Sequence, residues 1–164
     1  MLLERLSAAG GSLADQPDVL ELALPARTTS AGEARRALSA YCADLDVPEG
    51  LVEVGVLVIS ELVTNAVLHA GTPFLMWAEY DRAVHQLGLA VVDGEATLPL
   101  PLPMDDLQQE GGRGMALVAL LGASWGLVRT SLGKIVWVTI DDPGTDLDAA
   151  PAIPARQLRA DPVC

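Results

Sequence analysis

Apolar and polar positions alternate with two different periods along the chain, and the changes of period divide it into elements. Val19 to Leu24 (Val-Leu-Glu-Leu-Ala-Leu) suits a short strand, which Pro25 stops. Ala34, Ala37, Leu38, Tyr41 and Leu45 then fall at helical spacing through about Asp46. Thr29 or Ser30 is placed to cap this helix, and Glu33 stands three residues after Ser30, the spacing of a capping box. After a break at Pro48 and Gly50, Leu51 to Ala70 carries the longest helical pattern, closed by Gly71, Thr72 and Pro73. Phe74 to Tyr80 and Val84 to Val92 read as two strands joined by a turn at Asp81-Arg82. Residues 94 to 111 lack either period and are rich in Pro, Asp, Gln and Gly, which predicts a long loop of the kind that forms a lid. Gly114 to Leu121 resumes helical spacing, and Trp125 to Thr130 with Lys134 to Ile140 predict a last hairpin. Residues 1 to 17 read as a loose arm, and residues 142 to 164, with several prolines, as a disordered tail. The order predicts an α+β two-layer sandwich, with helices on one face of a mixed β-sheet.

Composition narrows the function. The chain of 164 residues is 51% hydrophobic but only 4% aromatic, enough apolar content for one buried core. Its formal net charge of -12 repels phosphate backbones, which argues against direct nucleic-acid binding. The acid serves solubility or offers a surface to a basic protein partner, and the sequence alone does not separate the two. Lysine occurs once, at Lys134, against nine arginines, a bias in keeping with GC-rich codon usage. Cys42 and Cys164 have neither zinc nor redox spacing, as in a cytoplasmic protein with reduced thiols. No apolar run is expected to approach the roughly 20 residues of a membrane helix, and the N-terminus does not read as a signal peptide.

The long helix carries the most informative polar residues. Glu61, Asn65 and His69 interrupt its apolar pattern at i, i+4 and i+8, so they share one stripe. The stripe is either the wet side of the helix or a site. For a site, glutamate and asparagine one turn apart suit magnesium-nucleotide chemistry: Asn65 offers a neutral oxygen to Mg²⁺, and Glu61 can orient or deprotonate an attacking hydroxyl. Asp93 follows the apolar strand Gly88-Leu89-Ala90-Val91-Val92, where it either starts a turn with Gly94 or accepts a hydrogen bond from an exocyclic amine such as adenine N6. Gly111-Gly112-Arg113-Gly114 opens the next helix, where free amides favour anions, but it is not a Walker loop.

Together these motifs resemble the GHKL (histidine kinase-like) ATPase domains, nearest to the anti-sigma-factor serine kinases and their actinobacterial relatives. Ser60-Glu61-Leu62-Val63-Thr64-Asn65-Ala66-Val67-Leu68-His69-Ala70 resembles their N-box helix, and Asp93 followed by Pro99 their adenine-binding turn. Gly112-Arg113-Gly114-Met115, with Leu117-Val118, Leu121 and Trp125-Gly126, is similar to their second glycine box. Gly133-Lys134, then Val136-Trp137, is similar to their terminal hairpin. The resemblance spans roughly Leu24 to Ile140 and implies a GHKL domain over residues 18 to 141. It implies ATP and Mg²⁺ as cofactors, with Asn65 holding the metal, Glu61 as base, Asp93 reading adenine, and Gly112, Arg113 and Gly114 at the phosphates. It further implies a cytoplasmic kinase that phosphorylates a serine of an anti-anti-sigma (STAS-type) partner and otherwise sequesters a sigma factor. Relatives are often dimers, though no seam for a homodimer is readable here. Three positions depart from the pattern: Glu95 stands where relatives have glycine or serine, and Leu68 replaces a common arginine. Ile135 stands where a threonine usually helps hold a water against adenine and its aspartate. Glu95 and Ile135 favour an alternative, a degenerate interaction module that sequesters a partner without kinase activity.

Overall fold

The computed structural model describes residues 19–94, 124–130 and 133–142. The expected arm, the loop beyond Gly94, the Gly112–Gly114 box with its helix, Glu95 and the tail beyond Asp142 lie outside the described residues. The described elements are β1 (Val19–Leu24), α1 (Ser30–Asp44), α2 (Glu49–His69), β2 (Phe74–Asp81), β3 (Gln86–Asp93), β4 (Ser124–Thr130) and β5 (Gly133–Asp141). The strands form one sheet in the order β1-β2-β3-β5-β4, and both helices pack on the same face of it.

The two-layer α+β architecture is the expected one, and the sheet differs in one respect. It was expected to be mixed, yet every pairing among the described strands is antiparallel. β4 does run parallel to β3, but β5 inserts between them in the opposite sense, so no parallel neighbours meet.

Strand alternation sorts the side chains. Leu22, Leu24, Met76, Ala78, Leu87, Leu89, Val91, Val138 and Ile140 meet Ala34, Leu38, Leu51, Val58, Ile59, Leu62, Val63 and Ala66 of the helices in the main core. The approach is tight at Gly55 of α2, where a Cβ would stand 2.7 Å from Leu87 Cδ2. Gly55→Val is expected to cost about 1–3 kcal/mol by overpacking this contact. A urea titration reads it as a lower midpoint with an unchanged slope. Cys42 lies in the same core, where burial pushes its thiol up to about 11 and leaves it protonated and unreactive at neutral pH. On the far face Trp77, Ala90 and Ile135 form a second, smaller cluster flanked by Leu75, Val92, Val128 and Trp137.

Local chemistry moves several boundaries. The capping box does not form: Thr29 is already helical (φ -74, ψ -20) with no side-chain cap, and the Ser30 hydroxyl instead donates to the Pro25 carbonyl at 2.6 Å. α2 begins two residues earlier than its apolar pattern, since Pro48 holds an extended entry and its carbonyl accepts from Val52 N–H. Gly71, at φ +61, ends the helix in the left-handed conformation that its position predicts. The turn between β2 and β3 occupies 82–85 rather than Asp81-Arg82: Asp81 Oδ1 accepts from Ala83 N–H, and His85 takes φ 49. β1 starts opposite Glu79, and the next amide along β2, that of Tyr80, donates to the Tyr41 hydroxyl of α1 at 2.9 Å.

By length and mean hydropathy (1.9) alone, α2 could cross a membrane, so one apolar run does reach that length. Its buried stripe of Leu51, Val58, Ile59, Leu62, Val63 and Ala66 packs on β3 and β5, which makes it the core helix of the domain.

Candidate functional site

Chain connectivity brings the C-terminal end of α2 and Asp93 to one end of the sheet. Residues 70–73 join His69 to Phe74 and span at most roughly 18 Å, less than the roughly 26 Å of an eight-residue strand. The C-terminal end of α2 therefore lies at the Phe74 end of β2. Phe74 pairs with Asp93, and Asp93 with Lys134, so this end also holds the last residue of β3 and the first turn of β5. Asn65 sits one turn before the end of α2 and Glu61 a turn earlier, both half-buried on the same stripe. The third member, His69, is exposed.

Asp93 shares its parity with Leu87, Leu89 and Val91 and so turns toward the helix layer. It is buried, and Lys134 Nζ stands 3.5 Å from its Oδ2, with the two side chains 8% and 3% exposed for lysine and aspartate respectively. Taking two charges out of water is costly, and removing either one strands the other, so the pair depends on both members. Gly133 brings this about. Its φ is +144, and a Cβ there would overlap the Asp93 carbonyl oxygen, with the carbonyl carbon at 2.8 Å and Gly94 Cα at 2.9 Å. Only a residue without a side chain lets β5 begin so close against the end of β3.

Motif reading places Lys134 in the terminal hairpin without a role at the site, whereas the structure sets it against Asp93. It is the single lysine of the chain, a count that codon bias explains equally well. The concern over Ile135 is corrected by the same alternation. Positions 134 and 135 point to opposite faces, and Ile135 is buried with Trp77 and Ala90 away from Asp93. The side chain of β5 that meets Asp93 is Lys134, so position 135 is not the one from which a side chain would hold a water against the aspartate. Gly112, Arg113 and Gly114 lie outside the described residues, and the structure neither joins them to the site nor separates them from it.

Asp93 thus lies buried at the end of the sheet toward which the C-terminal turns of α2, carrying Glu61 and Asn65, run. The chain belongs to the histidine kinase-like ATPase domain family, whose model matches residues 24–140. Among solved structures it is similar to the RsbU and RsbW domains of Rv1364c from Mycobacterium tuberculosis, at 20% identity and a TM-score of 0.56, covering 75% of this chain and 32% of that one. It also matches the histidine kinase domain of the Erythrobacter litoralis EL346 blue-light activated histidine kinase at 22% identity and a TM-score of 0.46, covering 85% of this chain and 69% of that one. A second structure of that kinase matches at 28% identity and a TM-score of 0.47, covering 58% and 32% respectively. The chain thus spans about a third of the length of the mycobacterial protein. None of the curated proteins matches it.

Proposed function

We propose that this domain binds ATP with Mg²⁺ and transfers phosphate to a serine of an anti-anti-sigma (STAS-type) partner, in a cytoplasmic switch that otherwise sequesters a sigma factor. The observation that carries the reading is the buried Asp93 at the end of β3, at the same sheet end as the Asn65 turn of a histidine kinase-like ATPase domain. The residues fit the cofactor. Asp93 supplies an acceptor for the adenine amine, and Gly133 lets β5 begin close against the end of β3 that carries it. Asn65 gives Mg²⁺ a neutral oxygen ligand, which the metal needs in small number because phosphate and water supply the others. Glu61, one turn back on the same stripe, is the base for the serine hydroxyl. Bound Mg²⁺ would neutralise charge on the phosphates. Gly112, Arg113 and Gly114 are assigned to the phosphates on their motif alone. Support for the anti-sigma role comes from the N-box resemblance and from the RsbW domain in the mycobacterial neighbour's name.

The test is transfer of label from γ-labelled ATP to a STAS-type partner containing a candidate serine. Labelling of that serine by the native domain supports the kinase. A domain that binds the partner and ATP but labels nothing contradicts it and leaves a sequestering module. In the same assay Asn65→Ala is expected to weaken Mg²⁺-dependent ATP binding as well as transfer, since it removes a metal ligand. Binding measured with and without EDTA checks this, because the native advantage of Mg²⁺ should shrink in the variant.

A further inference from the structure

β4 forms one edge of the sheet, and its seven residues are Ser-Trp-Gly-Leu-Val-Arg-Thr. Trp125, Leu127 and Arg129 stand opposite Val138, Val136 and Lys134 of β5, so all three face the helix side of the sheet. The helices do not cover them: Trp125 and Leu127 are 46% and 44% exposed, and Arg129 is exposed beside them. Among the described residues no strand pairs with the outer edge of β4. Sheet edges are usually protected by a proline or a bulge, and β4 has no proline and pairs with β5 residue for residue. The opposite edge differs, because the helix-side residues of β1, Leu20, Leu22 and Leu24, pack in or against the main core.

The order of side chains on β4 is self-complementary. Leu127 is its centre, with an indole two residues before it and a guanidinium two residues after it on the same face. Two copies set antiparallel about Leu127 place leucine opposite leucine and each Trp125 opposite the other copy's Arg129, with Cβ atoms about 4.5–5.5 Å apart. A guanidinium over an indole face is an attractive pair, and two-fold symmetry forms it twice. On the far face each Val128 comes opposite Gly126, which the Trp137 ring already overlies, since a Cβ on Gly126 would stand 2.8 Å from that ring. Centring the pairing one residue away, on Gly126 or Val128, leaves Arg129 or Trp125 beyond the end of the paired strands. We propose that a second copy of this chain docks on the edge of β4, joining two five-stranded sheets into one continuous antiparallel sheet about an axis through Leu127. The paired edge is short, so the association is weak and concentration-dependent.

Sedimentation velocity of the full chain over a concentration series tests this, at physiological salt, where the net charge of -12 is screened beyond about 8 Å. The native chain should show a reversible monomer–dimer equilibrium. Trp125→Arg sets like charges opposite each other at two symmetry-related places and should weaken the dimer by about tenfold or more. Trp125→Glu instead meets Arg129 with an opposite charge and should dimerise more tightly than Trp125→Arg. Net charge alone predicts the reverse order, since arginine lessens the negative charge of each copy and glutamate adds to it. Far-UV circular dichroism confirms that both variants are folded. The register is read separately with Leu127→Cys in a Cys164→Ser chain, in which Cys42 is buried. Two cysteines facing each other across the axis are within reach of a disulfide, so mild oxidation should trap a covalent dimer. Ser124→Cys should not be trapped, because its two copies would lie roughly 20 Å apart along the strands. If the variants at position 125 do not fold, the cysteine pair decides alone. A native chain that stays monomeric at every concentration overturns the proposal. A dimer that ranks the Trp125 variants equally or by net charge, or that Leu127→Cys does not trap, forms through another surface and overturns it as well.

Discussion

Replacing Glu61 with alanine will slow phosphorylation of the partner serine by about 10²–10⁴-fold, the contribution of a positioned general base. A serine hydroxyl is a poor nucleophile until its proton is taken up, and on α2 the carboxylate of Glu61 is one turn from the residue assigned to Mg²⁺. The side chain is half-buried and carries none of the main core, so its removal should leave folding nearly unchanged. ATP affinity should also change little, because the residue is assigned to the chemical step. Single-turnover transfer with the native and variant proteins separates the two quantities. Equal rates would show that Glu61 belongs only to the wet side of the helix.

Gly133→Ala will destabilise the domain by about 2–4 kcal/mol. Part of this is backbone strain, since φ +144 is a conformation that residues with a Cβ adopt at a cost of about 1–3 kcal/mol. The rest is overlap with the Asp93 carbonyl, a backbone atom that cannot rotate away as a side-chain tip can. The start of β5 must then withdraw from the end of β3, which pulls Lys134 off Asp93 and weakens nucleotide binding at the same time. A denaturation midpoint and an ATP titration on the same variant check both effects. A variant as stable as the native protein would mean that the two strand ends are not held together in this way.

Much of this architecture was readable from periodicity. β1 has the predicted limits, Val19–Leu24, and α2 is unmistakable because apolar positions fill almost every turn of it. The stripe of Glu61 and Asn65 was equally visible, since spacing by four is a property of the helix alone. Errors arose where the answer depended on another part of the chain. The Ser30 hydroxyl has two local uses, and only the path of Pro25 decides for its carbonyl over the helix N-terminus. The antiparallel character of the sheet depends on where β5 inserts, which no local pattern records. The importance of Lys134 could be reached only through the register that sets it opposite Asp93, more than forty residues away in sequence. With that register in hand, alternation alone moves Ile135 to the other face.

The central claim is a nucleotide site built around Asp93, and calorimetric titration of ATP with Mg²⁺ into the native protein and Asp93→Asn tests it most directly. Asparagine keeps the size of the side chain and loses the charge, so the change falls on the hydrogen bond to the base and on the pairing with Lys134. The account predicts saturable binding to the native chain, weakened about tenfold or more in the variant, as losing a charged hydrogen bond worth about 1.5–3 kcal/mol requires. Native protein that takes up no ATP, or an Asp93→Asn variant that binds it as tightly as the native, would contradict the account.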